Sequence, residues 1–186
     1  TSYTLANVGR FRVSIFRQRG NLGVVMRVIP HQIGTFEQLN LPPVLGRIAQ
    51  VPNGLILVTG PTGNGKSTTL ASMMKYINDQ FDYNIITIED PIEFLFTSSK
   101  SCIIQREVGI DTDSYLAGMR AALDQDADVV VVGELTGPEM IELAFRAVEQ
   151  GRLVLAKTQA PDVTGAIKTL LANFPPLPVR PGSTGK

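Results

Sequence analysis

Leu55-Ile-Leu-Val-Thr-Gly-Pro-Thr-Gly-Asn-Gly-Lys-Ser-Thr-Thr-Leu70 is the stretch on which the fold turns. It runs from a short aliphatic segment, Leu55 to Thr59, through a glycine-rich loop into apolar positions Leu70, Met73, Met74 and Ile77, the i, i+3, i+4, i+7 stripe of a helix. Gly60 to Ser67 matches G-x-x-x-x-G-K-[ST], and between a predicted strand and a predicted helix that pattern is a phosphate-binding loop. The chemistry requires these residue types. Glycines let successive backbone N–H groups turn inward around a β-phosphate, and the helix amino terminus adds the positive end of its dipole. Lys66 reaches the β/γ oxygens and the Ser67 hydroxyl is placed to ligate Mg2+. A nucleoside triphosphate is the implied ligand, with Gly60, Pro61, Thr62, Gly63, Asn64, Gly65, Lys66, Ser67 and Thr68 as its binding residues. A chance match in a chain of this length would arise roughly once in a hundred or less.

Outward from the loop the pattern repeats. Ile85 to Glu89, Val129 to Gly133 and Leu153 to Ala156 are further short aliphatic runs, as strands buried on both faces require. Helical stripes fall at Ile141, Ala144, Phe145 and Val148, and at Ile167, Leu170, Leu171 and Phe174; Pro138 opens the first of these helices and Gly151 closes it. Alternation of this kind predicts an α/β domain with a mainly parallel sheet, whose ligands bind at the carboxyl ends of the strands. Glu134 emerges at such an end, next to the phosphate loop, which is a Walker B position. Glu89-Asp90-Pro91-Ile92-Glu93 leaves another strand at the same edge, with Pro91 fixing the turn. Three carboxylates gathered there repel one another unless Mg2+ or basic groups compensate them; the bland alternative is a solvated acidic loop.

The chain has 186 residues, 44% hydrophobic and 18% charged, which excludes a disordered tail or a fibre. The low charged fraction suggests surface covered by other chains, so an oligomer is expected. No apolar run approaches the roughly 18 residues needed to cross a bilayer, so no membrane insertion is expected. The 17 basic and 17 acidic groups balance, which argues against nucleic acid as a partner, but residues 1–30 carry five arginines and no other charged side chain. There Phe11, Val13 and Ile15 alternate with Arg10, Arg12 and Ser14, the pattern of a half-buried strand with its basic side outward; a turn at Arg19-Gly20-Asn21 leads into Leu22 to Ile29. Residues 10–29 therefore read as a β-hairpin, the end of a small domain. Pro30, Gly34 and Pro42-Pro43 mark the connection that follows. His31 reads as a surface residue, Cys102 as a small core residue, and the proline-rich residues 175–186 as a tail outside the core.

Arg10-Phe-Arg-Val, the phosphate loop, Ile88-Glu-Asp-Pro-Ile-Glu-Phe94, Gln105-Arg-Glu-Val-Gly109 and Val131-Val-Gly-Glu134 together resemble the secretion ATPase superfamily. Within it the chain is similar to the type IV pilus retraction ATPases of the PilT and PilU type, from about residue 8 to Pro175. The resemblance implies a RecA-like P-loop domain over residues 44–174, preceded by the end of a PAS-like domain (1–33) and a linker (34–43), with a final helical part lying beyond the chain. It implies ATP and Mg2+ as ligands, a homo-hexameric ring, cytoplasmic and peripheral at the inner membrane, and a platform protein of that membrane as partner. By position, Glu89 to Glu93 correspond to an acidic "Asp box" and Glu134 to the Walker B glutamate. Glu93 then orients or activates water while Glu134 supports Mg2+ and the attacking water, with the two roles interchangeable at this stage. Arg10, Arg12 and Arg27 become candidates for arginines that approach ATP from a neighbouring subunit, against the alternative of a solvated basic hairpin.

The chain also departs from the resemblance. Where these ATPases carry Thr-Gly-His-Leu-Val-Phe-Ala-Thr-Leu-His-Thr, the "His box", it has Gln150-Gly-Arg-Leu-Val-Leu-Ala-Lys-Thr-Gln-Ala160, and Thr136-Gly137 replaces the usual Arg-Asp pair. Gln159 cannot switch charge as an imidazole does, although Arg152 or Lys157 offers a fixed positive group. Two readings follow: an ATP-hydrolysing motor subunit of the pilus-retraction type, or a ring subunit that binds ATP for assembly or regulation with weak or no hydrolysis. A small-molecule phosphotransferase is disfavoured, because no acceptor-binding constellation is visible. Alone, the chain is expected to be a monomer or weak oligomer with little activity.

Overall fold

A computed structural model describes residues 2–6 and 8–173; Phe174 and the tail read at 175–186 lie outside them. The amino-terminal alternation forms β2 (Gly9–Gln18), which turns at Arg19-Gly20 and returns as β3 (Asn21–Val28), while β1 (Ser2–Leu5) pairs along the other side of β2. Both turn residues have positive φ, 49° and 81°, as a two-residue hairpin turn requires. The expected outward basic side is only partly realised. Arg12 is exposed, but Arg10 turns inward and is 20% exposed, and Ile15 lies in solvent although it shares a strand face with buried Val13.

The remaining elements follow as α1 (Val44–Ile48), β4 (Gly54–Thr59), α2 (Lys66–Gln80), β5 (Asn84–Glu89), β6 (Cys102–Glu107), α3 (Tyr115–Asp124), β7 (Val129–Val132), α4 (Pro138–Glu149), β8 (Leu153–Thr158) and α5 (Val163–Ala172). The strands form one parallel sheet in the order β4-β8-β7-β5-β6. Successive side chains alternate between its two faces. Ile85, Val129, Val131, Leu153 and Leu155 pack with Leu70, Met73, Met74 and Ile77 of α2, and on the other face Ile86, Ile88, Val130, Val132, Val154 and Ala156 pack with Met119 of α3 and Met140, Ile141 and Ala144 of α4. Each fully buried Val, Leu, Ile or Met side chain stabilises this sandwich by about 1.5–3 kcal/mol. Sheet and helices thereby hold every strand's carboxyl end at one edge.

Several expectations are corrected. The last aliphatic run is longer than read: β8, which lies between β7 and β4, runs two residues past Ala156 and so includes Lys157. Cys102 is exposed rather than core, because it opens β6, the edge strand. The stripe on α5 is only partly turned to the core: Leu170 packs against it, whereas Ile167 and Leu171 are 51% and 65% exposed. His31 is exposed, as expected.

Candidate functional site

The site grows from the end of β4. Gly60, Gly63 and Gly65 have φ of 150°, 86° and 75°, values open to glycine and strained for other residues, and they bend the chain straight into α2. No side chain caps α2 and no acidic residue lies in its first turn, whereas Ser114 caps α3 and Asp162 caps α5 through their side chains. The free amide groups of α2 thus suit an anion rather than a cap. Lys66 Nζ donates to the carbonyls of Gly60 (2.7 Å) and Pro61 (2.9 Å), which aligns it along its own loop. A phosphate oxygen replaces such acceptors with a stronger charge-assisted bond.

Thr62, Gly63, Gly65, Lys66, Ser67 and Thr68 line an open cleft of about 490 Å³. Gly60, Pro61 and Asn64 of the same loop are not among the residues that line it. Across the cleft stand Glu89, Asp90 and Glu93 from the end of β5, Glu134 from the end of β7, Lys157, Thr158 and Gln159 from the end of β8, and Tyr115 from α3. Glu93 and Glu134 are thus brought to the same cleft as the loop. Lys157 Nζ donates to Glu93 Oε1 (2.7 Å) and Ser67 Oγ (2.9 Å), and Ser67 Oγ donates to Glu93 Oε1 (2.8 Å), closing a triangle. Burial alone would raise the Glu93 carboxyl, but the hydrogen bond and charge of Lys157, with Ser67 and Arg12, hold it below its ordinary value. Glu134 accepts a hydrogen bond from Gln159 Nε2 (3.0 Å). Burial pushes the Glu89 carboxyl up, outweighing hydrogen bonds from Thr87, the Glu93 N–H and Gln105. The Tyr115 phenol is pushed up by burial and by Asp90, Glu134 and Glu89, so it remains a neutral donor.

Gly133 fixes how closely these strand ends approach. A Cβ there would meet Tyr115 Oη at 3.0 Å and the backbone of Glu89 and Ile88 at 3.2 Å. Gly133→Ala is expected to destabilise the fold by about 1–3 kcal/mol, read by urea denaturation.

The candidate arginines separate. Arg12 and Arg27 are cross-strand partners on β2 and β3, and both line this cleft from the same chain. Like charges placed opposite each other are destabilising unless an anion compensates them. Arg10 does not reach the cleft: its guanidinium donates to buried Glu107 (2.8 Å) and to Ser2 Oγ (2.7 Å). Of the two cations weighed in the degenerate box, Arg152 lies at the opposite end of β8, bonded to Leu123 O and Asp126, while Lys157 enters the site. Tyr115 was missed by sequence reading, since nothing in Ser114-Tyr-Leu-Ala marks a ligand.

The phosphate-loop fold implies Mg2+ on Ser67, with Glu134 as a further ligand. An ion about 2.1 Å from Ser67 Oγ would lie within about 5 Å of Lys157 Nζ. At an effective dielectric constant of about 20, that repulsion is roughly 7 kcal/mol, and the Glu93 carboxylate, 2.8 Å from the same oxygen, offsets it by a similar amount. Glu134 is meanwhile turned to Gln159. What speaks against the metal is place rather than net charge: the Lys157 ammonium, in contact with both Ser67 Oγ and Glu93 Oε1, fills the position between them, and with Lys157 there the residues present do not fit the ion.

Comparison with known proteins gives concordant findings. The family model described as Type II/IV secretion system protein matches residues 5–173. The chain is 44% identical over 174 residues to the type IV pilus retraction ATPase PilT of Pseudomonas aeruginosa, covering 94% of this chain and 51% of that protein. It is 47% identical over 169 residues to a twitching motility protein of Neisseria gonorrhoeae, covering 91% and 44%. The crystal structure of the pilus retraction motor PilT with bound ADP superimposes with a TM-score of 0.90 at 46% identity, over 94% of this chain and 51% of that one. The chain spans about half the length of these relatives. Among the described residues no helix is long and apolar enough to cross a membrane.

Proposed function

Because the chain belongs to the Type II/IV secretion system protein family, we propose that it is an ATP-hydrolysing motor subunit driving pilus retraction, working in a homo-hexameric ring. The observation that carries this reading is the uncapped start of α2 behind Gly60 to Ser67, faced across one cleft by Glu93 and Glu134. Residues 44–174 are the RecA-like ATPase domain, residues 1–33 the end of a PAS-like domain joined through the linker 34–43. The ring acts in the cytoplasm, peripheral to the inner membrane, on a platform protein there.

The loop amides and Lys66 bind the β- and γ-phosphates, and Lys157 reaches the same phosphates from β8. Arg12 and Arg27 offset charge developing on the γ-phosphate. Glu134, which has no ion-pair partner among the described residues, accepts the proton of the water that attacks the γ-phosphorus as ADP leaves; Glu93, tied to Lys157, positions that cation. The role of base thus passes from Glu93 to Glu134, because an ion-paired carboxylate with a lowered pKa is a weak proton acceptor. The Glu93–Lys157 pair and Gln159 favour, as a second reading, a subunit that binds ATP and hydrolyses it slowly.

Steady-state phosphate release tests the proposal. The protein should release phosphate from ATP, and Lys66→Ala should abolish release while lowering nucleotide affinity at least about tenfold by calorimetry. Binding without release supports the slow subunit; absence of binding overturns both readings.

A further inference from the structure

We infer that Lys157 takes the place of the divalent cation in this chain, so that nucleotide binds here with a tethered ammonium on Ser67 and without need of Mg2+. The inference rests on the nucleotide-binding reading above and deepens it. Lys157 is the penultimate residue of β8, in register with Val58 of β4, so the strand itself delivers the side chain beside the phosphate loop. The side chain is only 14% exposed, and Nζ lies 2.7–2.9 Å from both Glu93 Oε1 and Ser67 Oγ.

Ser67 Oγ thus already accepts from Lys157 and donates its proton to Glu93, which leaves it one lone pair. That oxygen is the one a phosphate loop offers to a metal, and here it already faces a permanent positive charge. Four cations, Arg12, Arg27, Lys66 and Lys157, line the cleft against four carboxylates, Glu89, Asp90, Glu93 and Glu134. The lysine supplies locally what a metal ion supplies elsewhere: charge beside the β/γ oxygens, held by a carboxylate and the loop hydroxyl. An ammonium carries half the charge of Mg2+ and donates hydrogen bonds instead of accepting lone pairs, so it anchors phosphate without imposing octahedral geometry.

Calorimetric titration of the 186-residue chain with AMP-PNP, a non-hydrolysable ATP analogue, in excess Mg2+ and in excess EDTA decides the matter. The two affinities should agree within about threefold. Lys157→Thr, which suits a strand and frees Ser67 Oγ, should make binding at least about tenfold weaker in EDTA than in Mg2+. Lys157→Met keeps the aliphatic length and should behave likewise, which guards against a variant that fails to fold. A tenfold loss in EDTA for the unaltered chain overturns the inference alone. So does metal-independent binding shared by both variants, because the ammonium is then not the substitute. No binding in either buffer overturns the nucleotide-binding reading as well.

Discussion

Glu134→Gln should lower ATP turnover about a hundredfold while changing nucleotide affinity by less than about threefold. Glu134 lies one residue beyond Gly133 at the carboxyl end of β7, and it accepts a hydrogen bond from Gln159 Nε2 at 3.0 Å. A glutamine keeps that acceptor oxygen and the side-chain volume, so the structural cost is small. What it removes is the capacity to take a proton, and a positioned general base typically contributes a factor of 10²–10⁴. Glu93→Gln makes the informative contrast. It strips Lys157 of its carboxylate partner beside Ser67, so affinity and turnover should change together. Measuring kcat and Kd for both variants separates the roles that sequence left interchangeable. If Glu134→Gln turns over normally and Glu93→Gln does not, the base is Glu93 and the assignment made here is wrong.

How much of this was visible in the sequence depends on what each residue answers to. The phosphate loop and the aliphatic strands β4, β5 and β7 were legible, because buried parallel strands and glycine turns impose local composition. β6 was not. Cys-Ile-Ile-Gln-Arg-Glu lies at a sheet edge where alternation is weak, yet Gln105 and Glu107 from that strand hold the loop after β5. α3 was hidden by Gly118, a residue of low helix propensity placed where a Cβ would meet Ile88 at 2.9 Å. The arginines were read as one class because they share a segment. Register divides them: Arg12 faces the cleft with Arg27, while Arg10, two residues earlier on β2, is drawn to Glu107. Lys157 was legible only as one of two fixed positive groups, with Arg152, in the degenerate box. Its contact with Ser67 follows from strand order, which no local pattern encodes.

Glu107→Ala should destabilise the fold by about 3 kcal/mol, read by urea denaturation. Glu107 is 2% exposed, and its Oε2 accepts both from Arg10 Nη2 at 2.8 Å and from the Ile92 N–H at 3.3 Å. Removing it leaves the Arg10 guanidinium, whose Nε is already buried without a hydrogen-bond partner, with Ser2 Oγ as its remaining acceptor. It also strands a buried N–H in the turn that carries Glu93. The partial exposure of Arg10 puts the cost at the lower end of the range for broken buried pairs. Arg10→Ala should cost less, because Glu107 keeps the Ile92 N–H and adjoining water can enter the space. The double variant should be less destabilised than the sum of the two, since neither charge is then left alone. Because the pair joins β2 to the acidic turn of the ATPase sheet, Glu107→Ala should also weaken nucleotide binding, whereas a surface change such as Glu139→Ala should not. Strict additivity in the cycle would mean that Arg10 and Glu107 act independently, and the amino-terminal sheet would then have no energetic hold on the turn that presents Glu93.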